Sequence, residues 1–222
     1  MDEGEKKTAP DPIPPPMLPC HPIPAGGNGA GVRGVPPELS GLLMVTSITK
    51  QKGLDSYFAI DVETTGLSAA LGDRVIEIAA VCIQNGRIIS EFEQLIFSSQ
   101  CISREAARIH GISKTMLDGQ PLPEEVFPRF RQFVGNHVVI AHNARFDISF
   151  VRQEFLRAGL VFSNRFICTL RLARRRVPHL PNHRLETVAR HLLMDLPSDL
   201  HLHRALDDAR LTAQVWLALE GN

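Results

Sequence analysis

The chain has 222 residues, 44% of them hydrophobic, and its 24 Lys plus Arg balance 24 Asp plus Glu. A polybasic binder held by bulk charge is therefore excluded, and any nucleic-acid contact has to come from a local patch. The longest uninterrupted apolar stretch is six residues, Ile78 to Ile83, far short of the ~18 that a membrane-spanning helix needs.

Near the N-terminus the apolar cluster Leu42 to Val45 is shorter than the about 7–15 residues of a signal-peptide core, so a cytoplasmic protein with no membrane contact is expected. Cys20, Cys82, Cys101 and Cys168 form no C-x-x-C pair and read as ordinary thiols. Ten of the 16 prolines lie between Pro10 and Pro37, and seven of the 16 glycines precede residue 42. Such a segment buries too little apolar surface to offset its chain entropy. Residues 1–53 are read as a disordered Pro/Gly-rich tail, and residues 54–222 as one domain of ordinary size.

Ser56–Asp61 predicts a strand. Two further β-branched runs, Arg74–Ile83 and Arg87–Phe97, flank Asn85-Gly86, a dipeptide that favours a type I′ turn and antiparallel pairing. Helices are predicted over Ser103–His110 and Pro123–Val134, then a strand over His137–Ala141. The next helix, Asn143–Gly159, places Ile148, Val151, Phe155 and Leu156 on its core face. A short strand, Phe166–Cys168, leads into a helix ending at Arg176, and another helix spans Leu185–Met194. Ala205–Leu219 closes the chain, with Leu206, Ala209, Ala213, Trp216 and Leu217 as its core face. The pattern is α/β, a three-stranded meander followed by strand-helix alternation.

Candidate chemistry begins where the first strand ends. Asp61 and Glu63 are two apart and project the same way, while Phe58, Ile60 and Val62 point into the core. Paired carboxylates repel, so either one takes up a proton or a hard divalent cation sits between them; alone, the pair is more often a solvated strand end. Asp147 falls in the first turn of a helix, where the free N–H groups suit an anion without any ligand. The same simple reading applies to Asp207 and Asp208 at the start of the last helix. It does not explain why three acidic element ends share one chain with His203, five residues before Asp208.

Together, F-A-I-D-V-E-T-T-G-L, A-H-N-A-R-F-D and H-R-A-L-D-D-A resemble, in order and spacing, the three motifs of the DEDDh (DnaQ-like) 3′–5′ exonucleases. The similarity covers about residues 55 to 221, and among family members it is to the proofreading epsilon subunit of bacterial DNA polymerase III. It implies a ribonuclease H-like fold, a mixed five-stranded sheet flanked by helices. It also implies two divalent ions, Mg²⁺ with Mn²⁺ as a substitute, held by Asp61, Glu63, Asp147 and Asp208, and His203 as general base. The sole tyrosine, Tyr57, lies on the first strand, so the subclass with tyrosine in the histidine's place does not fit.

By the same resemblance, Thr64, Gly66 and Leu67 cradle the 3′-terminal nucleotide and His110 contacts substrate, with Phe146 a weaker candidate and Asn143 ordering its loop by capping. Asp207 should point about 100° away from Asp208, and His201 lies outside the motif register. Between Arg165 and His191 seven arginines face one acid, Glu186, a local formal charge of +6 and a candidate phosphate-tracking surface. The expected substrate is single-stranded nucleic acid with a free 3′ end, DNA favoured over RNA, in proofreading or repair. An exoribonuclease and a non-catalytic end-binding module are the alternatives. The chain ends 14 residues after Asp208, without a counterpart of the segment that tethers epsilon to its polymerase, which puts a polymerase partner in doubt.

Overall fold

The computed structural model describes residues 56–193, 196 and 203–221. The tail read at 1–53, Met194 and His201 lie outside the described residues. A five-stranded mixed sheet has the order β3-β2-β1-β4-β5. Central β1 (Ser56–Thr64) runs beyond the predicted Asp61, so both acids of the first motif lie within paired backbone. It pairs antiparallel with β2 (Val75–Gln84), which pairs antiparallel with β3 (Arg87–Leu95). Asn85 and Gly86 join these two strands with φ of 52° and 75°, the two left-handed residues of a type I′ turn.

Three helices follow, α1 (Arg104–His110), the single-turn α2 (Lys114–Leu117) and α3 (Pro123–Val134). Only α2 was unanticipated, because four residues carry no measurable periodicity. β4 (Val138–Ala141) then pairs parallel with β1, and β5 (Phe166–Cys168) pairs parallel with β4. Between them runs α4 (Arg145–Arg157), and after β5 come α5 (Thr169–Arg176), α6 (Leu185–Leu192) and α7 (Ala205–Gly221). Because β1 has an antiparallel neighbour on one side and a parallel one on the other, the chain direction switches beside it. A crevice at the C-terminal ends of β1 and β4 is where ligands bind in open α/β sheets.

Alternation along β1 decides what covers each face. Phe58 and Ile60 are fully buried and join aromatic packing from α3 and α4, with Phe58 edge-on to Phe133 at 5.4 Å and Phe127 edge-on to Phe155 at 5.8 Å. The opposite face, with Tyr57, Ala59 and Ala79, is covered by α7 through Ala205, Ala209, Ala213 and Trp216. Small residues four apart on that helix face let its backbone approach the sheet closely. A second side of α7, Leu211, Val215 and Leu219, packs on α5 and α6 through Ala173, Val177, Val188 and Ala189.

One core expectation fails. Leu156 is 68% exposed, because the buried arc of α4 runs through Asp147, Ile148, Phe150, Val151, Glu154 and Phe155, and Leu156, a further 100° on from Phe155, falls outside it. No helix among the described residues is long and apolar enough to cross a membrane.

Ala209 sits fully buried between α7 and the sheet, so Ala209→Leu should overpack it and cost about 1–3 kcal/mol. A lower urea midpoint would be seen, whereas Gln214→Leu on the exposed side of α7 should change stability by less than about 0.5 kcal/mol. Equal effects would show that close approach of α7 is not what the small residues provide.

Candidate active site

Three elements deliver carboxylates to one place. β1 supplies Asp61 and Glu63, and the first turn of α7 supplies Asp208; one oxygen from each lies within 4.8 Å of the others. The first turn of α4 supplies Asp147, only 3% exposed, whose carboxylate accepts from its own backbone N–H and from that of Val62. Burial, then the charges of Asp147, Asp208 and Glu63, push the Asp61 carboxyl well above its usual range. Burial and the nearby Asp208, Glu77 and Asp147 lift Glu63 to about 8, against a lowering pull from Arg204. Asp147 rises to about 7, mainly by burial. Asp208 is raised by burial too, in spite of the His203 N–H that it accepts. A cluster of hard oxygen donors that resists carrying its own negative charge fits divalent cations of the Mg²⁺ type.

The start of α7 is fixed from the sheet. Fully buried Glu77 lies directly across from Glu63 in the β1–β2 register. It accepts from both sides of the Arg204 guanidinium, with Nε 3.1 Å from each carboxylate oxygen, and from the Ala205 N–H at 3.0 Å. His203, one residue earlier, is exposed with φ of 72°, and its backbone N–H donates to Asp208 Oδ2 at 3.1 Å. A non-glycine residue in the left-handed region is uncommon and concentrates at functional sites. Asp207 turns away as expected and meets Arg210 at 3.2 Å, which in turn grips Glu91.

After β1 the chain makes a braced turn. Thr64 Oγ1 donates to the Gly66 carbonyl at 2.6 Å, and the Thr65 backbone bonds Arg74 and Ser103, both within 2.9 Å. The Asp73 carboxylate accepts from Ser68 N–H at 2.9 Å and would stand 2.5 Å from any Cβ at Gly66, which is why that position is glycine. Arg74 is locked by fully buried Glu154, with Nε at 2.7 Å and Nη2 at 2.9 Å, and Arg157 joins the same carboxylate at 2.9 Å. His110 Nδ1 accepts from Ile112 N–H, so its Nε2–H donates to the Thr64 carbonyl at 3.3 Å. Both ring nitrogens are thus engaged inside the protein, and burial lowers the pKa of the ring. Leu67, 80% exposed, projects from the turn.

Near Asp147, Phe146 is half-buried and packs on Phe150 at 4.9 Å. Asn143 does not cap α4 with its side chain as expected; it is exposed, takes φ of 65°, and offers its carbonyl to Phe146 N–H at 2.9 Å. The left-handed turn shapes the loop instead. Glu77, Arg204, Glu154, Arg74 and Asp73 escaped sequence reasoning. A glutamate inside the otherwise apolar run Val75–Ile83 was the signal available for Glu77.

The exonuclease family RNase_T matches residues 58–216. A PolC-type DNA polymerase III from Caldanaerobacter subterraneus subsp. tengcongensis is 36% identical over 179 residues, 81% of this chain but 12% of that protein. Its counterpart from Clostridium perfringens is 38% identical over 161 residues, 72% of this chain and 11% of that one. The chain therefore corresponds to a small part of these relatives. Among solved structures, exonuclease X in complex with 5′-overhanging duplex DNA superimposes with a TM-score of 0.61 at 30% identity, covering 74% of this chain and 91% of that one. An E. coli exonuclease I complex with single-stranded DNA has a TM-score of 0.65 at 18% identity, over 76% of this chain and 41% of that one, a likeness of fold.

Acids with raised folded-state pKa values bind protons more tightly in the native than in the unfolded state. Their stabilising contribution is complete below the unfolded pKa and is lost as pH rises through the folded one. With Glu63 at about 8 and Asp147 at about 7, against about 4 in the unfolded chain, the metal-free Tm should fall between about pH 4 and about pH 8, and Mg²⁺ or Mn²⁺ should restore it most at the alkaline end. Asp61→Asn should flatten the pH dependence. A metal-free Tm independent of pH in that window would show that the carboxylates do not share one site.

Proposed function

We propose that the chain, which belongs to the DEDDh-type exonuclease family, hydrolyses single-stranded DNA from its 3′ end to 5′-mononucleotides. The observation that carries the reading is the convergence of Asp61, Glu63 and Asp208 within 4.8 Å, with Asp147 beside them and His203 at the rim. Asp61, Glu63, Asp147 and Asp208 would hold two divalent ions, Mg²⁺ with Mn²⁺ as substitute, which stabilise the attacking and leaving oxygens of an in-line displacement.

His203 acts as general base toward the attacking water. Among the described residues its ring has no hydrogen-bond partner, which leaves the imidazole open to take the proton. The turn after β1 receives the terminal nucleotide: the backbone at Thr64 and Gly66 lies beside the sugar, and Leu67 offers an apolar surface to the base. His110 supports that cradle through the Thr64 carbonyl. Phe146 and Asn143 flank the path on the side of α4.

DNA is preferred over RNA in this reading because the similar proteins are named as DNA polymerases or seen on DNA. The PolC-type relatives make a DNA polymerase the proposed partner, in proofreading or repair. Cys82, Cys101 and Cys168 stand outside any disulfide among the described residues, which suits the reducing cytoplasm. Residues 54–222 form the exonuclease domain in this reading.

Purified protein with Mg²⁺ or Mn²⁺, offered 3′- and 5′-labelled single strands of DNA and RNA side by side, should release 5′-mononucleotides stepwise from the 3′ end of DNA. Internal cuts or 5′ release would overturn the reading, and faster loss of RNA would replace DNA by RNA as substrate. Asp61→Ala and Asp208→Ala should abolish hydrolysis while the metal-free Tm holds or rises, since each relieves repulsion. His203→Ala should lower kcat by about 10²–10⁴, the range of a general base; unchanged turnover would remove it from the mechanism.

A further inference from the structure

Among the described residues five arginines are tied to carboxylates, and of those that are not, two share a cavity with the acid cluster. Arg74 and Arg157 are committed to Glu154, Arg204 to Glu77, Arg210 to Glu91 and Asp207, and Arg190 to Glu186. Arg174 and Arg184 have no carboxylate partner among the described residues. Those two line the same cavity, of about 670 Å³, within the range of about 300–1,000 Å³ typical of ligand sites. His203 and Asp208 line it as well. One continuous space therefore runs from the acid cluster to two unneutralised guanidinium groups.

We propose that this cavity, between α5, α6 and the start of α7, is an upstream phosphate subsite. It takes the internucleotide phosphates next to the scissile linkage, on the side away from the 3′ terminus. The inference rests on the exonuclease reading above. Its direction follows from what lines the space: none of Thr64, Gly66 and Leu67, where the terminal nucleotide is cradled, borders it. A strand ending on that turn passes the carboxylates and continues into the cavity.

The chemistry of the walls fits a phosphodiester with its nucleoside. Guanidinium forks match phosphate oxygens bidentately. Asn182 Oδ1 is occupied, accepting from the Arg184 N–H at 3.1 Å and the Thr187 hydroxyl at 2.8 Å, so its Nδ2 is left to donate. Glu186, which with Asp208 makes up the acids among the described lining residues, is held by Arg190 at 2.9 Å, which lessens its repulsion of a phosphate. Leu170 and Leu185 add apolar surface for a sugar or base. Of the seven arginines in the basic stretch, Arg174 and Arg184 alone border the cavity. Arg175 and Arg176 follow Arg174 on α5 and point elsewhere, as successive 100° steps require.

The test is binding by the full-length chain in an Asp61→Asn background with Mg²⁺, using 5′-fluorescein oligothymidylates of two and five nucleotides and fluorescence anisotropy. The longer strand should bind at least about tenfold more tightly. Arg174→Ala with Arg184→Ala should erase that gain and lower the log–log salt slope by about 1.4, at about 0.7 per lost single-strand phosphate contact. Arg174→Lys with Arg184→Lys should recover most of the slope, which a merely unfolded variant could not. A neutral methylphosphonate at the first or second upstream linkage should weaken binding of the parent and have no further effect in the double alanine variant. Arg175→Ala with Arg176→Ala should change the length gain by less than about twofold. The subsite is wrong if the double alanine variant keeps the length gain, if the methylphosphonate penalty persists in it, or if the Arg175/Arg176 variant loses as much. Absence of any 3′-end hydrolysis by the unmodified chain would instead count against the exonuclease reading itself.

Discussion

Negative charge crowded at the end of β1 is the constraint on which the rest of the molecule depends. At roughly 5 Å and an effective dielectric constant of about 20, two carboxylates repel by about 3 kcal/mol, and the β1–β2 register adds Glu77 directly opposite Glu63. Like charges facing each other across a sheet are unfavourable. The fold resolves this selectively. Glu77, Glu154 and Glu91 each receive an arginine, while Asp61, Glu63, Asp147 and Asp208 receive none among the described residues. Acids that hold the structure together are neutralised from within, and those left over need cations from outside.

Both fully buried glutamates also act as rulers. Glu154 lies about two helical turns after Asp147 on α4, and its bonds to Arg74 and to the Val75 N–H at 3.3 Å fix that helix to the start of β2. Glu77 does the same for α7 through Arg204 and the Ala205 N–H. Apolar packing alone tolerates small slides between a helix and a sheet, whereas charge-assisted bonds in a fork geometry are directional. Removing one member of such a pair strands the other charge in a poorly solvated place, so the pairs resist separation more strongly than their net contribution suggests. The placement of Asp147 and Asp208 near Asp61 is thereby tied to two contacts outside the acid cluster itself.

How legible this was differs by element. Local signals read well: Asn85-Gly86 gave the hairpin, the alternation Phe58–Glu63 gave the two faces of β1, and the 3.6-residue pattern located α3, α4 and α7. The acids and His203 stood out because their motifs are contiguous in sequence. Their bracing was not legible, since Glu77 meets Arg204 across 127 residues and Arg74 meets Glu154 across 80. Helical periodicity assigned Leu156 to the core by its apolar type, yet the buried arc of α4 is centred so that Glu154, held by Arg74, takes the inward place instead. Likewise Asn143 reads as a cap by residue type, whereas its left-handed φ follows from the path of the β4–α4 connection.

α7 couples the two halves of the proposed chemistry. On one side its alanines lie against β1 and β2, which sets Asp208 beside Asp61 and Glu63. On another its Leu211, Val215 and Leu219 form the floor on which α5 and α6 rest, with Arg174 on α5 and Arg184 at the N-cap of α6. Cation binding at the carboxylates and phosphate binding at the arginines therefore share one rigid element. An unneutralised acid cluster would repel the strand that the arginines attract, since their fields overlap in a single cavity. Two divalent ions would cancel the four carboxylate charges, leaving the positive field of the arginines along the proposed path of the phosphate backbone. In the proposed reading the charges on the two sides of α7 would thus favour cations before the strand, without any moving part.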